Sequence, residues 1–428
     1  MQRRVGFLSL LRIGEFRAVW AAECGSVVGD QLVRVAVSVL VFARTGSAAA
    51  ATVTYALTMV PSVLGGVLLS WTADRYRRRT IMVAADAVRA VLVAVMAVPG
   101  LPVAVVAALV VAIVLLRAPH TAAQGALLPQ ILGERYELGL ALRQITNQLA
   151  QVGGFGLGGI VVALVAPTGT LLIAAVLFAV SALLVRFGTA PRERPLATGD
   201  GGEPVSARAQ VINGMRALMR DRARRALVVM ALVVGCYIVP EALAVPYTAQ
   251  IGAGATEAGL LMAAGPLGSM LGAWAFVRFM PLASRDRLVG VIAVLTGVPL
   301  LPTIAVPSFP AAFVLWTVSG ALAGAYVLQS QASFVRRTPD AERGQALGLA
   351  GSAMIATQGL AVVGGGALAD GTSPATAIAA AAGFGLLVSA ATAVSWARAR
   401  GRPTAPNSPD AEGPYSAPPP STGPHPPG

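Results

Sequence analysis

The chain has no lysine, two cysteines, two histidines and only 12% charged residues among its 428. Each scarcity removes a class of function. Cys24 and Cys236 lie far apart inside apolar stretches, so they read as small buried hydrophobes and build neither a disulfide framework nor a thiolate metal site. His120 is the only histidine inside an apolar stretch, and no HExxH, metal-ligand cluster or nucleophile–base pair accompanies it. A GxxxxGKS/T phosphate loop is missing too, which argues against a nucleotide-driven pump. The expectation is therefore a non-enzyme with no cofactor and no metal. The net charge of +13 comes from 32 arginines against 19 acids. On a soluble chain that balance would suggest nucleic acid. Here the arginines cluster in short segments between apolar runs, no helix-turn-helix or RNA-binding motif is visible, and nucleic acid is not an expected partner.

A soluble globule of this size carries about 25% charged residues. With half that fraction and 56% hydrophobic residues, most of this surface must face lipid. Windows of about 18 or more mostly apolar residues mark membrane-spanning helices. Twelve occur, near 20–42, 49–72, 80–99, 102–124, 140–165, 169–187, 226–249, 257–279, 287–306, 309–334, 345–369 and 374–397. Pro99-Gly100-Leu101-Pro102, Pro167-Thr168-Gly169 and Pro307-Ser308-Phe309-Pro310 join successive spans as uncharged tight turns. Of the 32 arginines, 28 fall in segments that an even number of spans places on one side, Arg143 among them. Only Arg44 lies in an opposite connection, and Arg34, Arg89 and Arg117 lie deeper within spans than the arginines at the span ends, which are counted with the segments they border. The positive-inside rule makes the arginine-rich side cytoplasmic. Both termini are then cytoplasmic, and the location expected is the plasma membrane. Met1 to Leu11 reads as a cytoplasmic lead-in to the first span, not as a cleaved signal.

The domain reading follows: a six-helix half over 1–187, a polar connection over 188–225, a second six-helix half over 226–397, and a tail over 398–428. Val205 to Arg225 has the pattern of a helix lying on an anionic leaflet, with a solvated linker as the plainer alternative. Residues 401–428 hold ten prolines and almost no aliphatics, the composition of a disordered segment. A shift of 207 residues superimposes Gln124 on Gln331, Gln151 on Gln358 and Gly158-Gly159 on Gly365-Gly366. At a slightly smaller shift, Pro61 with Gly65-Gly66 resembles Pro266 with Gly272. Parallel repeats of six spans suggest a transporter whose halves rock about a midplane site.

Over residues 10–397 the chain resembles the major facilitator superfamily. The segment Ser70-Trp71-Thr72-Ala73-Asp74-Arg75-Tyr76-Arg77-Arg78-Arg79 matches that family's loop motif at Asp74, Arg75, Arg78 and Arg79, with Ser70 and Arg77 in place of glycine. Gly154-Phe155-Gly156-Leu157-Gly158-Gly159 resembles its exporter motif, with Phe155 replacing proline. Arg117 matches its membrane-embedded arginine, although His120 and Thr121 stand where the family has Gln-Gly. Arg44-Thr45-Gly46-Ser47 and Ala85-Asp86-Ala87-Val88-Arg89-Ala90 are similar to phrases of the bacterial drug and siderophore exporter branch. The resemblance implies an all-α membrane fold of twelve transmembrane helices in two pseudo-symmetric halves.

Ionisable groups within a bilayer cost about 3 kcal/mol each on insertion scales, so they are candidates for function. Glu23, Asp30 and Arg34 share one stripe of the first span. They are the proton-coupling candidates; a self-neutralising Asp30–Arg34 pair that merely fixes packing is the plainer reading. Asp86 and Arg89 can pair across one turn, as a structural or gating pair together with the Asp74–Arg79 motif. Arg117 needs a carboxylate partner, either Asp30 or Glu23. Glu241 falls opposite Arg34 under the repeat and suits cation recognition, proton binding or packing. His120, Gln124, Asn147, Gln151, Tyr237, Gln331 and Gln358 are further cavity candidates, with Trp274, Trp316 and Phe155 as aromatic walls. Gly154, Gly156, Gly158 and Gly159 suit close helix packing. The expected activity is proton-coupled export of small lipophilic compounds by alternating access, acting as a monomer with protons, solute and lipid as its partners. The competing readings are an uptake porter and a membrane-embedded sensor.

Overall fold

The computed structural model of the chain describes residues 10–69, 76–192, 222–338 and 340–399, and within them every regular element is a helix. Before the undescribed stretch 193–221 lie α1 (Gly14–Thr45), α2 (Ala48–Leu57), α3 (Val60–Leu69), α4 (Arg78–Met96), α5 (Val103–Leu132) and α6 (Tyr136–Gly188). After it lie α7 (Arg222–Tyr237), α8 (Val239–Ala242), α9 (Ala244–Gln250), α10 (Ala255–Phe279), α11 (Leu282–Leu295), α12 (Phe309–Arg337), α13 (Asp340–Gly371) and α14 (Pro374–Ala399). Asp74, Arg75, almost all of the expected surface helix over 205–225 and the tail beyond residue 399 fall outside the described residues.

The outer surface is apolar. Leu164, Phe187 and Leu360 are 77, 79 and 76% exposed, an arrangement that lipid tolerates and water does not. Among the described residues, nine helical stretches are long and apolar enough to cross a bilayer, against the twelve windows read from sequence. The difference has two physical causes. The stretch Val103–Gly188 counts once, yet 86 residues at 1.5 Å each make about 130 Å, several times a hydrocarbon core of ~30 Å. It is interrupted at Gly133–Arg135 and at Ala166, where φ is 59° and ψ 170°. The helix resumes at Pro167, so this reversal needs one residue and not the three-residue turn expected. Secondly, α4 carries Arg78, Arg79, Asp86 and Arg89 and is too charged for an apolar tally. The chain is a multi-pass membrane protein.

Two expected spans are broken within the membrane. One breaks at Thr58–Met59 between α2 and α3, the other at Ile238 and Leu243 on either side of Pro240 and Glu241. The phrase Thr45-Gly46-Ser47 has a mechanical explanation. Gly46 (φ 63°) closes α1 by donating to Phe42 O at 2.8 Å, and Ser47 caps α2 by accepting from Ala50 N at 3.0 Å.

Between helices in lipid, close packing replaces hydrophobic burial as the source of cohesion. The run from Gly154 packs in two directions. A Cβ on Gly154 would lie 2.9 Å from Gln31 Cβ, and one on Gly158 would lie 3.1 Å from Val35, both on α1. Gly159 faces α10 instead, with Gly259 Cα 2.8 Å from where its Cβ would be, and Gly156 sits more loosely at 3.7 Å from Leu260. The repeat is visible in the same terms. Gly65 abuts Leu115 O (3.0 Å to an added Cβ), and Gly272, 207 positions later, abuts Ala321.

Two tight seams therefore join the helices before residue 193 to those after residue 221. One is Gly159 against Gly259; the other is Gly366 against Ala49 and Thr52. Both lie near the connections that carry few arginines. Asp370 strengthens the second by accepting from Ser47 Oγ and Ala48 N, each at 2.6 Å.

Gly272→Leu should cost about 1–3 kcal/mol, because its side chain would meet backbone that cannot yield. Gly348, with open space around it, should accept alanine within about 0.5 kcal/mol. Thermal unfolding of the purified protein in detergent measures both.

Candidate functional site

The embedded charges separate into three connected groups. The central one is built on Arg89 of α4, which is 1% exposed. Its Nη2 pairs with Asp30 Oδ1 of α1. Its Nη1 reaches Asp86 Oδ1 at 3.2 Å and Ser26 Oγ at 3.0 Å. The last leg of α6 finishes the enclosure. Phe178 lies beneath the guanidinium at 4.1 Å, and Ser181, one turn on, donates to Asp86 Oδ2 at 2.6 Å. A side chain at Gly29 would crowd the Phe178 ring at 3.2 Å, so the glycine beside Asp30 leaves room for that ring. His120 Nε2 stands 3.3 Å from the same Asp86 oxygen. Asp30 is shared, since Arg117 Nη1 approaches its other oxygen at 3.3 Å. The two arginines differ: Arg89 is sealed, whereas Arg117 exposes 43% of its side chain toward the cavity it lines.

The second group lies about two turns along α1 from Asp30. Glu23 accepts from Arg143 Nη2 at 2.6 Å, Asn147 Nδ2 at 2.9 Å and Gln124 Nε2 at 3.0 Å. Arg143 Nη2 also reaches Gln124 Oε1 at 3.1 Å, which closes the network. The third group crosses between the two sets of helices. Tyr55 of α2 donates its hydroxyl to Glu241 of α8, and Arg34 lies over the Tyr55 ring at 5.9 Å.

A cavity of about 430 Å³ connects the first and third groups. Asp30, Arg34, Arg89, Arg117 and Glu241 supply its charge, Gln151 and Gln358 line it from opposite sets, and Val33, Ile113 and Ile355 contribute to its apolar wall. Three cations against two carboxylates leave it with a formal excess of one positive charge.

Several expectations require correction. Arg34 does not pair with Asp30, because neighbouring helices bring Arg89 and Arg117 to that carboxylate first. Glu23 is not part of the cavity stripe, and the partner of Arg117 is Asp30. Arg143, read only as a marker of topology, is a 13% exposed counterion. His120, Gln124 and Asn147 sit in the networks behind the cavity and do not line it. Gln331 is exposed and lines no part of it. Tyr237 lines a smaller neighbouring void of about 30 Å³ together with Glu241 and Trp316. Trp274 is 62% exposed, and Phe155 is sealed in the core. Arg78 Nη1 ties α4 to Ala126 O of α5 at 2.8 Å, and Arg79 ties it to Arg186 O at the end of α6. Tyr55, Phe178 and Ser181 were not among the sequence candidates. Ser181 alone carried a signal, as a lone polar residue in an apolar span.

A charged cavity held between two sets of membrane helices, with tight seams near the arginine-poor face among the described residues, is the arrangement of a solute transporter. The sequence profile described as Major Facilitator Superfamily matches residues 19–280 and 242–424. The chain belongs to that superfamily and is a secondary transporter. Among solved structures, it is similar to a bacterial homolog of the human lysosomal transporter Spinster, in an inward-facing and unoccupied conformation. Identity is 14%, coverage 90% of this chain and 94% of that one, and the TM-score 0.65. It is also similar to the nucleoside transporter NupG (13% identity, 90% and 99% coverage, TM-score 0.69). The POT family transporter PepTSo matches at 13% identity, 90% and 98% coverage and TM-score 0.69. These likenesses establish the fold. No curated protein matches the chain.

Glu23→Ala should destabilise the protein by about 3–5 kcal/mol, since it leaves Arg143 as an unpaired buried charge. Glu23→Ala with Arg143→Ala should recover part of that loss in a double-mutant cycle read by thermal unfolding.

Proposed function

We propose that the protein is a proton-coupled exporter of small compounds in the plasma membrane, working by alternating access as a monomer. The supporting observation is that Asp30 is shared between a sealed arginine and an exposed one inside the cavity. Protonation of Asp30 removes the charge that holds Arg117 and frees that guanidinium toward the cavity. Deprotonation draws it back. Solute and proton thereby act on one ion pair, which is the differential interaction a coupled cycle needs. Arg89, bound by three oxygens, stays fixed and holds Asp30 in position.

Glu241, Tyr55 and Arg34 carry the change across the two sets of helices. With the arginine-rich face cytoplasmic, both tight seams lie toward the exterior, and this conformation is closed to the outside. The gating role of Asp74, Arg75, Arg78 and Arg79, and of the Asp86–Arg89 pair, belongs to this reading. So do cytoplasmic termini and the division at 188–225. The similarity of Gly154–Gly159 to the superfamily's exporter motif, and of Arg44–Ser47 and Ala85–Ala90 to the drug and siderophore exporter branch, supports export. Beside the charges, the apolar wall of Val33, Ile113 and Ile355 suits a compound that is lipophilic at one end only.

Uptake is the second reading. It is favoured by the number of polar groups in the cavity, where Tyr55, Thr58, Ser62, Gln151 and Gln358 join the charges. A fully lipophilic cargo has no use for so many partners.

In proteoliposomes, Asp30→Asn should lose transport driven by a pH gradient by 10-fold or more, a typical cost for one coupling group, while solute exchange without a gradient continues. Gradient-driven transport at the wild-type rate in Asp30→Asn would remove Asp30 from the coupling step. Accumulation into inside-out vesicles, as against right-side-out ones, decides between export and uptake.

A further inference from the structure

The structure holds a larger cavity, apart from the transport cavity, to which the transport reading assigns no ligand. It has a volume of about 840 Å³ and lies at the arginine-rich ends of α4, α5 and α6. Arg77, Arg78, Arg79, Arg186 and Arg192 line it, and no carboxylate does so among the described residues. Glu15 reaches Arg192 from α1 at 2.6 Å and neutralises that one arginine. The other four have no carboxylate partner among the described residues. The Nε of Arg78 and of Arg79 are buried without a hydrogen-bond acceptor among the described residues. The first turn of α4 also opens here, because Arg77 at its N-cap provides no side-chain acceptor for the leading amides. Guanidinium groups beside an uncapped helix start bind phosphate-type anions.

The surroundings choose the kind of phosphate. Val83, Ala84 and Leu127 form the part of the cavity one turn deeper into the membrane. From there, Thr80, Ala84, Val88, Val91 and Val95 follow one another at spacings of three and four along α4, a single exposed stripe. Val180, Leu183 and Phe187 form a parallel stripe on α6 and are 43, 54 and 79% exposed. Cationic groups at headgroup level with two apolar tracks descending from them match an acidic phospholipid, whose phosphate and acyl chains must be held together. A free phosphate would use only the upper part.

We propose that this cavity is a binding site for the phosphate headgroup of an anionic phospholipid, seated between α4, α5 and α6 with its acyl chains along the two stripes. The proposal requires only that the chain spans a bilayer, and it stands whether or not the transport reading holds. A bound lipid there would bridge the start of α4 and the end of α6, which are already tied by Arg79 to Arg186 O.

Native mass spectrometry of the full chain, with phosphatidylglycerol or phosphatidylcholine added at equal concentration, tests it. Phosphatidylglycerol should remain bound at collision energies that strip phosphatidylcholine. The pair Arg77→Gln with Arg186→Gln should weaken phosphatidylglycerol binding on the order of 30-fold, the effect expected of two interfacial arginines. Arg77→Lys with Arg186→Lys should retain most of it. Equal retention of the two lipids by the wild-type protein would overturn the proposal without recourse to any variant. Unchanged retention in the glutamine pair would also overturn it. Displacement of phosphatidylglycerol by inorganic phosphate alone would make the site one for free anions and so contradict the lipid assignment.

Discussion

A charge inside hydrocarbon must find its counterion within the protein, and that requirement organises the whole helical arrangement described here. Arg89 alone draws four helices together: its own α4, α1 through Asp30 and Ser26, α6 through Phe178, and α5 through the Asp86 that faces His120. Glu23 does the same nearer the arginine-rich face, joining α1 to α5 and α6. Apolar side chains could not do this, since in lipid they gain nothing by leaving their neighbours. The networks therefore specify which helices meet. Glycines such as Gly154 and Gly158 then let those helices approach closely.

Within that scaffold the charged contacts differ in how fully they are enclosed. Arg89 is sealed, Arg143 is mostly buried, and both are multiply bonded, so their energetic role is architectural. Arg117 and the Tyr55–Glu241 contact differ, being connected to a cavity and bearing on the junction between the two sets of helices. The interruption at Thr58–Met59 follows Tyr55 by one turn, and those at Ile238 and Leu243 bracket Glu241. Short segments can reorient where a continuous helix would resist. Arg89 and Arg143 are thus enclosed by several partners, while Arg117 keeps 43% of its side chain exposed at the cavity.

The sequence made some of this legible. Apolar windows and their arginine-poor turns gave the positions of the helices, and three-residue spacing gave the Asp86–Arg89 pair, because both are local properties. The 207-residue shift also carried spatial information: Arg34 and Glu241 occupy matching positions in the repeat and come to face the same cavity. The wrong pairings were all non-local. Spacing permits Asp30 to meet Arg34 but says nothing of Arg89, 59 residues on, which takes its place. Nor could it show that Arg143 reaches back 120 residues to Glu23, so Arg143 passed as a loop arginine. Of the polar residues picked out in apolar spans, Gln151 and Gln358 line the cavity, Gln124 and Asn147 bond Glu23, and Gln331 is exposed. Whether each faced a cavity or a buried partner depended on helix rotation, which periodicity leaves open in spans that are apolar all round.

The central claim is that Asp30, held by one fixed and one movable arginine, is the carboxylate that gains and loses a proton. Infrared difference spectroscopy of the protein in lipid, between neutral and acidic pH, tests this most directly. A carboxylic-acid C=O band should grow on acidification in the wild-type protein and be absent from Asp30→Asn. The same band at full strength in Asp30→Asn would contradict the account.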